Sequence, residues 1–205
     1  STPCKYDTVT IVPVTAAMAI TKVATKPVLN SDGTFTLEYS IAASNLRAET
    51  LDSVQVADNL RNVFFSPMTF NVLSLKVGSK FTSNSLFDGN TQTNTLGVPS
   101  KLGANQTDTI KILVKVSPNG YSGPVNNTAS MSAISPLSGL IGTVLSNDPT
   151  NTTGSGNSKP TLTIIPKLDI FIPTGFSPNN DGVNDKFVII HPYNTSINFQ
   201  VYNRW

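Results

Sequence analysis

Apolar and polar side chains alternate with a period of two along most of this chain. Thr8–Val14 alternates, and Met18–Ala24 does so again. Phe35, Leu37, Tyr39 and Ile41 follow at every second position behind the turn Asn30-Ser31-Asp32-Gly33. Val54 and Val56 keep the pattern, and Phe70, Val72 and Leu75 keep it less regularly. Ile110, Ile112, Val114 and Val116 alternate with Lys111 and Lys115. A strand with one face in a core and one in water needs this spacing, because successive side chains point to opposite faces. Turn signals separate the runs at Asp88-Gly89-Asn90, Pro99, Pro118-Asn119-Gly120, Gly123-Pro124 and Ser135-Pro136. No apolar stripe of helical period occurs. Short strands with turns between them predict an all-β chain folded as a two-sheet antiparallel sandwich. Its core is expected to hold Phe35, Leu37, Tyr39, Ile41, Val54, Val56, Ile110, Ile112, Val114 and Val116.

The alternation stops at Ser146–Pro160, which has no large apolar residue and reads as a linker or long loop with nothing to bury. It restarts with Leu162, Ile164, Leu168, Ile170 and Ile172. The last part predicts a strand, a sharp polar turn at Ser177–Asp185, a strand at Lys186–Ile190 and another at Ile197–Tyr202. So few strands bury too little apolar area for a domain of their own. This end is therefore expected to be a truncated second β-domain whose remainder lies beyond Trp205, or whose edges a partner covers.

Composition narrows the class. Only 13% of the residues are charged, against about 25% in an average soluble protein, and Asn, Ser and Thr make up roughly a third. Much Thr, Val and Asn disfavours a helical bundle. A net charge of +2 from scattered lysines argues against a nucleic-acid partner, which calls for basic residues clustered on one face. No run is long and apolar enough for a membrane span. The single Cys4 cannot form an internal disulfide. It is either a free thiol or the partner of a cysteine further upstream.

Two stretches resemble known families. Phe171-Ile-Pro-Thr-Gly-Phe-Ser-Pro-Asn-Asn-Asp-Gly-Val-Asn-Asp-Lys-Phe187, followed by Phe199-Gln-Val-Tyr-Asn-Arg-Trp205, resembles the gliding-motility-associated C-terminal domain. That family is the type B sorting domain of the Bacteroidetes type IX secretion system, and it continues past its Asn-Arg-Trp strand. The second resemblance rests on Gly33–Ile41, Asn45, Leu51–Leu60 and Val125–Ala129, which are similar to an Ig-like repeat of bacterial surface proteins. Together these resemblances imply four parts. Residues 1–15 are the last strand of a preceding repeat or an N-terminal extension, and 16–145 are the Ig-like repeat. Residues 146–166 are a polar linker and connecting strand, and 167–205 begin a small second β-sandwich, the sorting domain.

The implied function is non-enzymatic. The chain is the C-terminal part of an adhesin-like protein, secreted and displayed at the cell surface in association with the outer membrane. Its last domain is an address read by a component of the outer-membrane secretion or surface-attachment machinery. The residues implied for that address are Pro173, Phe176, Ser177, Pro178, Asn179, Asp181, Gly182, Asn184, Asp185 and Phe187, with Asn203, Arg204 and Trp205. They are expected to shape one rigid turn and to plug Phe176 and Phe187 into a core. The alternatives are a glycan- or protein-binding sandwich, with Phe64, Phe65, Phe81 and Phe87 as its loop aromatics, or an accessory domain of a secreted hydrolase.

The polar turn also carries the chain's one metal-like spacing. Ser177, Asn179 and Asp181 alternate, Gly182 takes the sharp-turn place, Val183 offers a carbonyl and Asp185 follows. This is a weak calcium loop with Ser first and Val188 where a bidentate Glu belongs. The competing reading is a tight hairpin capped by side-chain-to-backbone hydrogen bonds. No cofactor other than calcium is expected. Asp148 and Asn151 read as a solvated loop, and Asp58 as a turn cap on backbone amides. The single histidine, His191, has no nucleophile near it in sequence.

Overall fold

The computed structural model describes residues 18–97, 100–137, 139, 141–153, 158–168, 172–189, 198 and 200. The strand expected at Thr8–Val14, together with Cys4, His191, Phe171, Phe199, Asn203, Arg204 and Trp205, lies outside the described residues.

The described chain is all-β. Ten strands follow in order: β1 Met18–Ala24, β2 Val28–Leu29, β3 Phe35–Asn45, β4 Asp52–Ala57, β5 Thr69–Val77, β6 Thr107–Ser117, β7 Gly123–Asn127, β8 Ser130–Ile134, β9 Ile141–Leu145 and β10 Thr161–Ile165. One layer is an antiparallel sheet in the order β1-β3-β6-β5, with β2 also paired to β3. The opposing layer comprises β4-β8-β9 and the pair β7-β10. Inward side chains of both layers form one core, with Phe35, Leu37, Tyr39, Ile41, Ile110, Ile112, Val114 and Val116 from the first. Val54, Val56, Val125, Met131, Ala133 and Ile165 come from the second. All ten residues expected in the core are buried. The alternation along β3 is strict over its 11 residues, which makes this strand the spine of the sheet.

The irregular run Phe70-Val72-Leu75 has a structural cause. The pairing of β5 with β6 shifts register between Val72 and Ser74. The bulge inserts one residue, so Val72 pairs with Val114 while Leu75, not Ser74, pairs with Ile112. Leu73 takes the extra position and is half exposed.

Two expectations need correction. Residues 146–160 were expected to bury nothing, yet Ser146 and Asp148 are buried. The Ser146 hydroxyl accepts from the Ala129 amide, and Asp148 accepts from the amide and hydroxyl of Thr150. The Asn147 backbone bridges to β1, accepting from Lys22 N–H and donating to Ile20 C=O. The loop is therefore docked on the sandwich through polar contacts, which an apolar-pattern reading does not register. Beyond β10, no strand occurs among the described residues of 166–189, so the Lys186–Ile190 strand is not formed at 186–189.

Candidate functional site

The polar turn is built by its own side chains. Asn180, Gly182 and Asn184 take positive φ (61°, 84° and 57°), the left-handed region that Gly and Asn tolerate best. Asp185 accepts from two backbone amides, Asn180 N–H at 2.6 Å and Gly182 N–H at 2.8 Å. Asp181 accepts from Val183 N–H at 2.7 Å and from the Asn179 side-chain amide at 2.7 Å. The Val183 amide, followed by Asn179, holds the Asp181 carboxyl below its ordinary value. Ser177 N–H closes the turn on Asn184 C=O. The structure thus brings Ser177, Asn179, Asp181, Val183 and Asp185 into one turn, with both carboxylates directed at amides inside it. Among the described residues no three His, Cys, Asp or Glu side chains gather as a metal site.

Every residue from 174 to 184 is exposed, and Pro173, Asp185 and Phe187 are half buried. Phe176 and Phe187 meet edge to face at 5.9 Å, with Phe176 still 53% exposed. They were expected to plug into a core; among the described residues they pack against one another, and neither joins the buried core cluster of the sandwich. The loop aromatics invoked for ligand binding are also mostly internal. Phe64, Phe81 and Phe87 are buried, and only Phe65 is exposed, edge-on to Tyr121. A cleft of about 580 Å³ beside the β-turn at Gly33 is lined by Asp32, Thr34, Lys115, Tyr121 and Leu168 among others. Asp32 and Lys115 in its lining are paired with one another, and Lys167 lies beside them in the wall.

A second polar centre lies inside the sandwich. Lys22, on β1, has no exposed side-chain surface, and its ammonium contacts Asp58 Oδ2 at 2.5 Å. Asp58 follows the end of β4 in the opposing layer and is equally buried. It was expected to be a turn cap. Its side chain instead reaches inward to the ammonium, because position 58 continues the inward parity of Val54 and Val56. The Lys22 ammonium also sits over the Tyr39 ring, 4.6 Å from the centroid. Burial pulls Lys22 below its ordinary value, opposed by the charge and hydrogen bond of Asp58.

Around this pair lies a group of buried polar atoms without partners. Among the described residues Tyr39 Oη, Asp58 Oδ1, Thr163 Oγ1 and both amide atoms of Asn127 make no hydrogen bond of ordinary geometry. Burial pushes the Tyr39 phenol up. Thr163 beside it opposes that shift, Asp58 adds to it, and Asn127 opposes it, which places all four in one neighbourhood. Asn127 ends β7 opposite Thr161 on β10. The Thr161 hydroxyl donates to the backbone C=O of Lys22, so β10 ties the Asn127 strand to β1.

Sequence reading missed Lys22, Asn127 and Thr163 as members of a site and misassigned Asp58. The signal was parity. Lys22 stands two residues after Ile20, Asp58 two after Val56, and Asn127 two after Val125. Each is a polar residue at an inward position of an otherwise apolar series.

No protein-family model matches the chain, and no curated protein matches it. Among solved structures it is similar to a variant of the major pilin subunit of Bacillus cereus, at a TM-score of 0.45 and 12% identity. That match covers 72% of this chain and 40% of the pilin. It is also similar to the major pilin SpaD of Corynebacterium diphtheriae, at a TM-score of 0.41 and 18% identity, over 63% of this chain and 33% of that one. A family 123 glycoside hydrolase of Clostridium perfringens aligns at a TM-score of 0.35 and 10% identity, over 77% and 29%. The chain spans less than half the length of each. Among the described residues no helix is long and apolar enough to cross a membrane.

Proposed function

We propose that this chain is a non-enzymatic structural module of an exported cell-surface protein. The sandwich serves as a stiff spacer, and the segment 167–205 serves as an address for an outer-membrane secretion machine of the type IX kind. The observation that carries this reading is the turn at 177–185. The Asn, Asp and Gly residues of the sorting-like motif are consumed in fixing one backbone shape, while the outer surface of that shape stays open to a reader. The spacing of Pro173, Phe176, Pro178, Asp181, Gly182, Asn184 and Phe187 supports it. The burial of Phe64, Phe81 and Phe87 weighs against the aromatic-platform reading of the sandwich.

The test is export in a bacterium that carries the type IX machinery. Removing residues 167–205, together with any continuation, from the full-length protein leaves it in the periplasm, with the sandwich still folded. A protein that reaches the cell surface normally after this deletion overturns the address.

A further inference from the structure

We propose that the folded sandwich joins the Lys22 side chain to the Asn127 side chain by an amide bond of its own making, with Asp58 as the acid-base group. This proposal is independent of the export reading. It starts from a concentration of unmet polar demand. The five buried side-chain nitrogen and oxygen atoms without a hydrogen-bond partner among the described residues belong to Tyr39, Asp58, Asn127 and Thr163. Native cores leave few such atoms, and each costs free energy. The fully buried ammonium of Lys22 contacts Asp58 and the Tyr39 ring, and Thr161, the cross-strand partner of Asn127, hydrogen-bonds the Lys22 backbone. That ammonium has three protons and, among the described residues, one hydrogen-bond acceptor, Asp58 Oδ2.

An arrangement of this kind is expensive as an ion pair and inexpensive as a neutral amide. Taking an ammonium and a carboxylate out of water costs more than their attraction returns unless every remaining group is satisfied. Asn127, 1% exposed, has both amide atoms idle. The same burial that disfavours the ammonium favours the free amine, which is the nucleophilic form. A fixed pair of reactants in a dry core replaces an encounter in solution.

The step balances without a co-reactant. Lys22 Nζ passes a proton to Asp58 Oδ2. The neutral amine attacks Asn127 Cγ, and the new C–N bond forms. Asp58 returns the proton to Nδ2, the Cγ–Nδ2 bond breaks, and ammonia leaves. The amine nitrogen sheds its remaining extra proton through Asp58 to the departing ammonia. The overall change is ammonium plus carboxamide to secondary amide plus ammonium ion, with no oxidation or reduction. The product ties β1 in one layer to β7 in the other.

The mass of the intact purified 205-residue chain tests this. The expected mass is lower than the sequence mass by one ammonia, and digestion yields a branched peptide that joins the stretch around Lys22 to the stretch around Asn127. A chain at full sequence mass overturns the proposal. Cyclisation of an asparagine to a succinimide also loses ammonia, so Lys22→Arg separates the two. The variant regains full mass if Lys22 is the nucleophile, and an ammonia loss that persists in it overturns the proposal. Asp58→Asn is expected to stay at full mass, and a cross-link that forms in that variant overturns the role of Asp58. The wild-type mass and branched peptide decide the bond itself even if a variant fails to fold.

Discussion

In the sandwich, β3 sets Phe35, Leu37, Tyr39 and Ile41 against residues of the opposing layer, and none of them is more than 2% exposed. In the turn at 174–184 every residue is exposed, and shape comes from carboxylates and amides a few positions apart. The first region is held by long-range burial, so any inward change is felt across both sheets. The second is held by short-range polar geometry, so changes there stay local. A spacer needs the first kind of order. A surface read by a partner works with the second, because none of its groups is committed to a core.

The largest effect is expected from Val114→Asp. It puts an unpaired charge at a position with no exposure and is expected to cost about 4 kcal/mol or more. The turn's own hydrogen bonds remain formed as long as it is local. Chemical denaturation measures the first, and amide chemical shifts of 177–185 measure the second. If the turn melts together with the sandwich, the contrast between the regions is wrong.

A smaller loss is expected from Asn45→Ala. The Asn45 side-chain amide lies 2.7–3.0 Å from the carbonyls of Glu49, Leu102 and Gly103. Stranding such carbonyls costs about 1–3 kcal/mol. The loss shows as a lower denaturation midpoint with an unchanged slope. An unaltered midpoint would mean that solvent satisfies these carbonyls.

Asp32 supplies a pH test. The Lys115 ammonium, then the Thr34 hydroxyl, hold its carboxyl at about 2, against an ordinary 3.8. A depressed carboxylate contributes stability that is fully present above 3.8 and is lost as pH falls through about 2. Carboxyl NMR titration should place Asp32 near 2 in the wild type and closer to 3.8 in Lys115→Ala. Equal values in both would remove the ion pair as the cause.

The smallest effect on the sandwich is expected from Asp185→Ala. The amides of Asn180 and Gly182 lose their acceptor and exchange faster, while the denaturation midpoint of the sandwich stays in place. A shifted midpoint would couple the regions and sharpen the comparison into one about docking.

Where alternation is carried by large apolar residues on one face, as in β3 and β6, the strand and the face it buries were both legible. In β10 the parity runs the other way. Thr161 and Thr163 point inward, while Leu162 and Ile164 are exposed. The threonines belong inside because Thr161 hydrogen-bonds the Lys22 backbone and Thr163 lies beside Tyr39, and no local pattern in Thr-Leu-Thr-Ile-Ile announces that. The turn was legible, because Asn-Asn-Asp-Gly is a local signal and local hydrogen bonds build it. The buried centre was not, because Lys22, Asp58, Asn127 and Thr163 come from separate elements of both layers. Each looks like a single odd residue until topology gathers them.

The five-stranded sheet ends at β5, whose outer edge pairs with no strand among the described residues. An open edge invites a neighbouring molecule to add a strand, a hazard for proteins crowded side by side. The bulge between Val72 and Ser74 interrupts the hydrogen-bond spacing that such an incoming strand would need, and Lys76 adds a charge beside it. The same extra residue that spoiled the alternation in the sequence makes this edge a poorer template for an added strand.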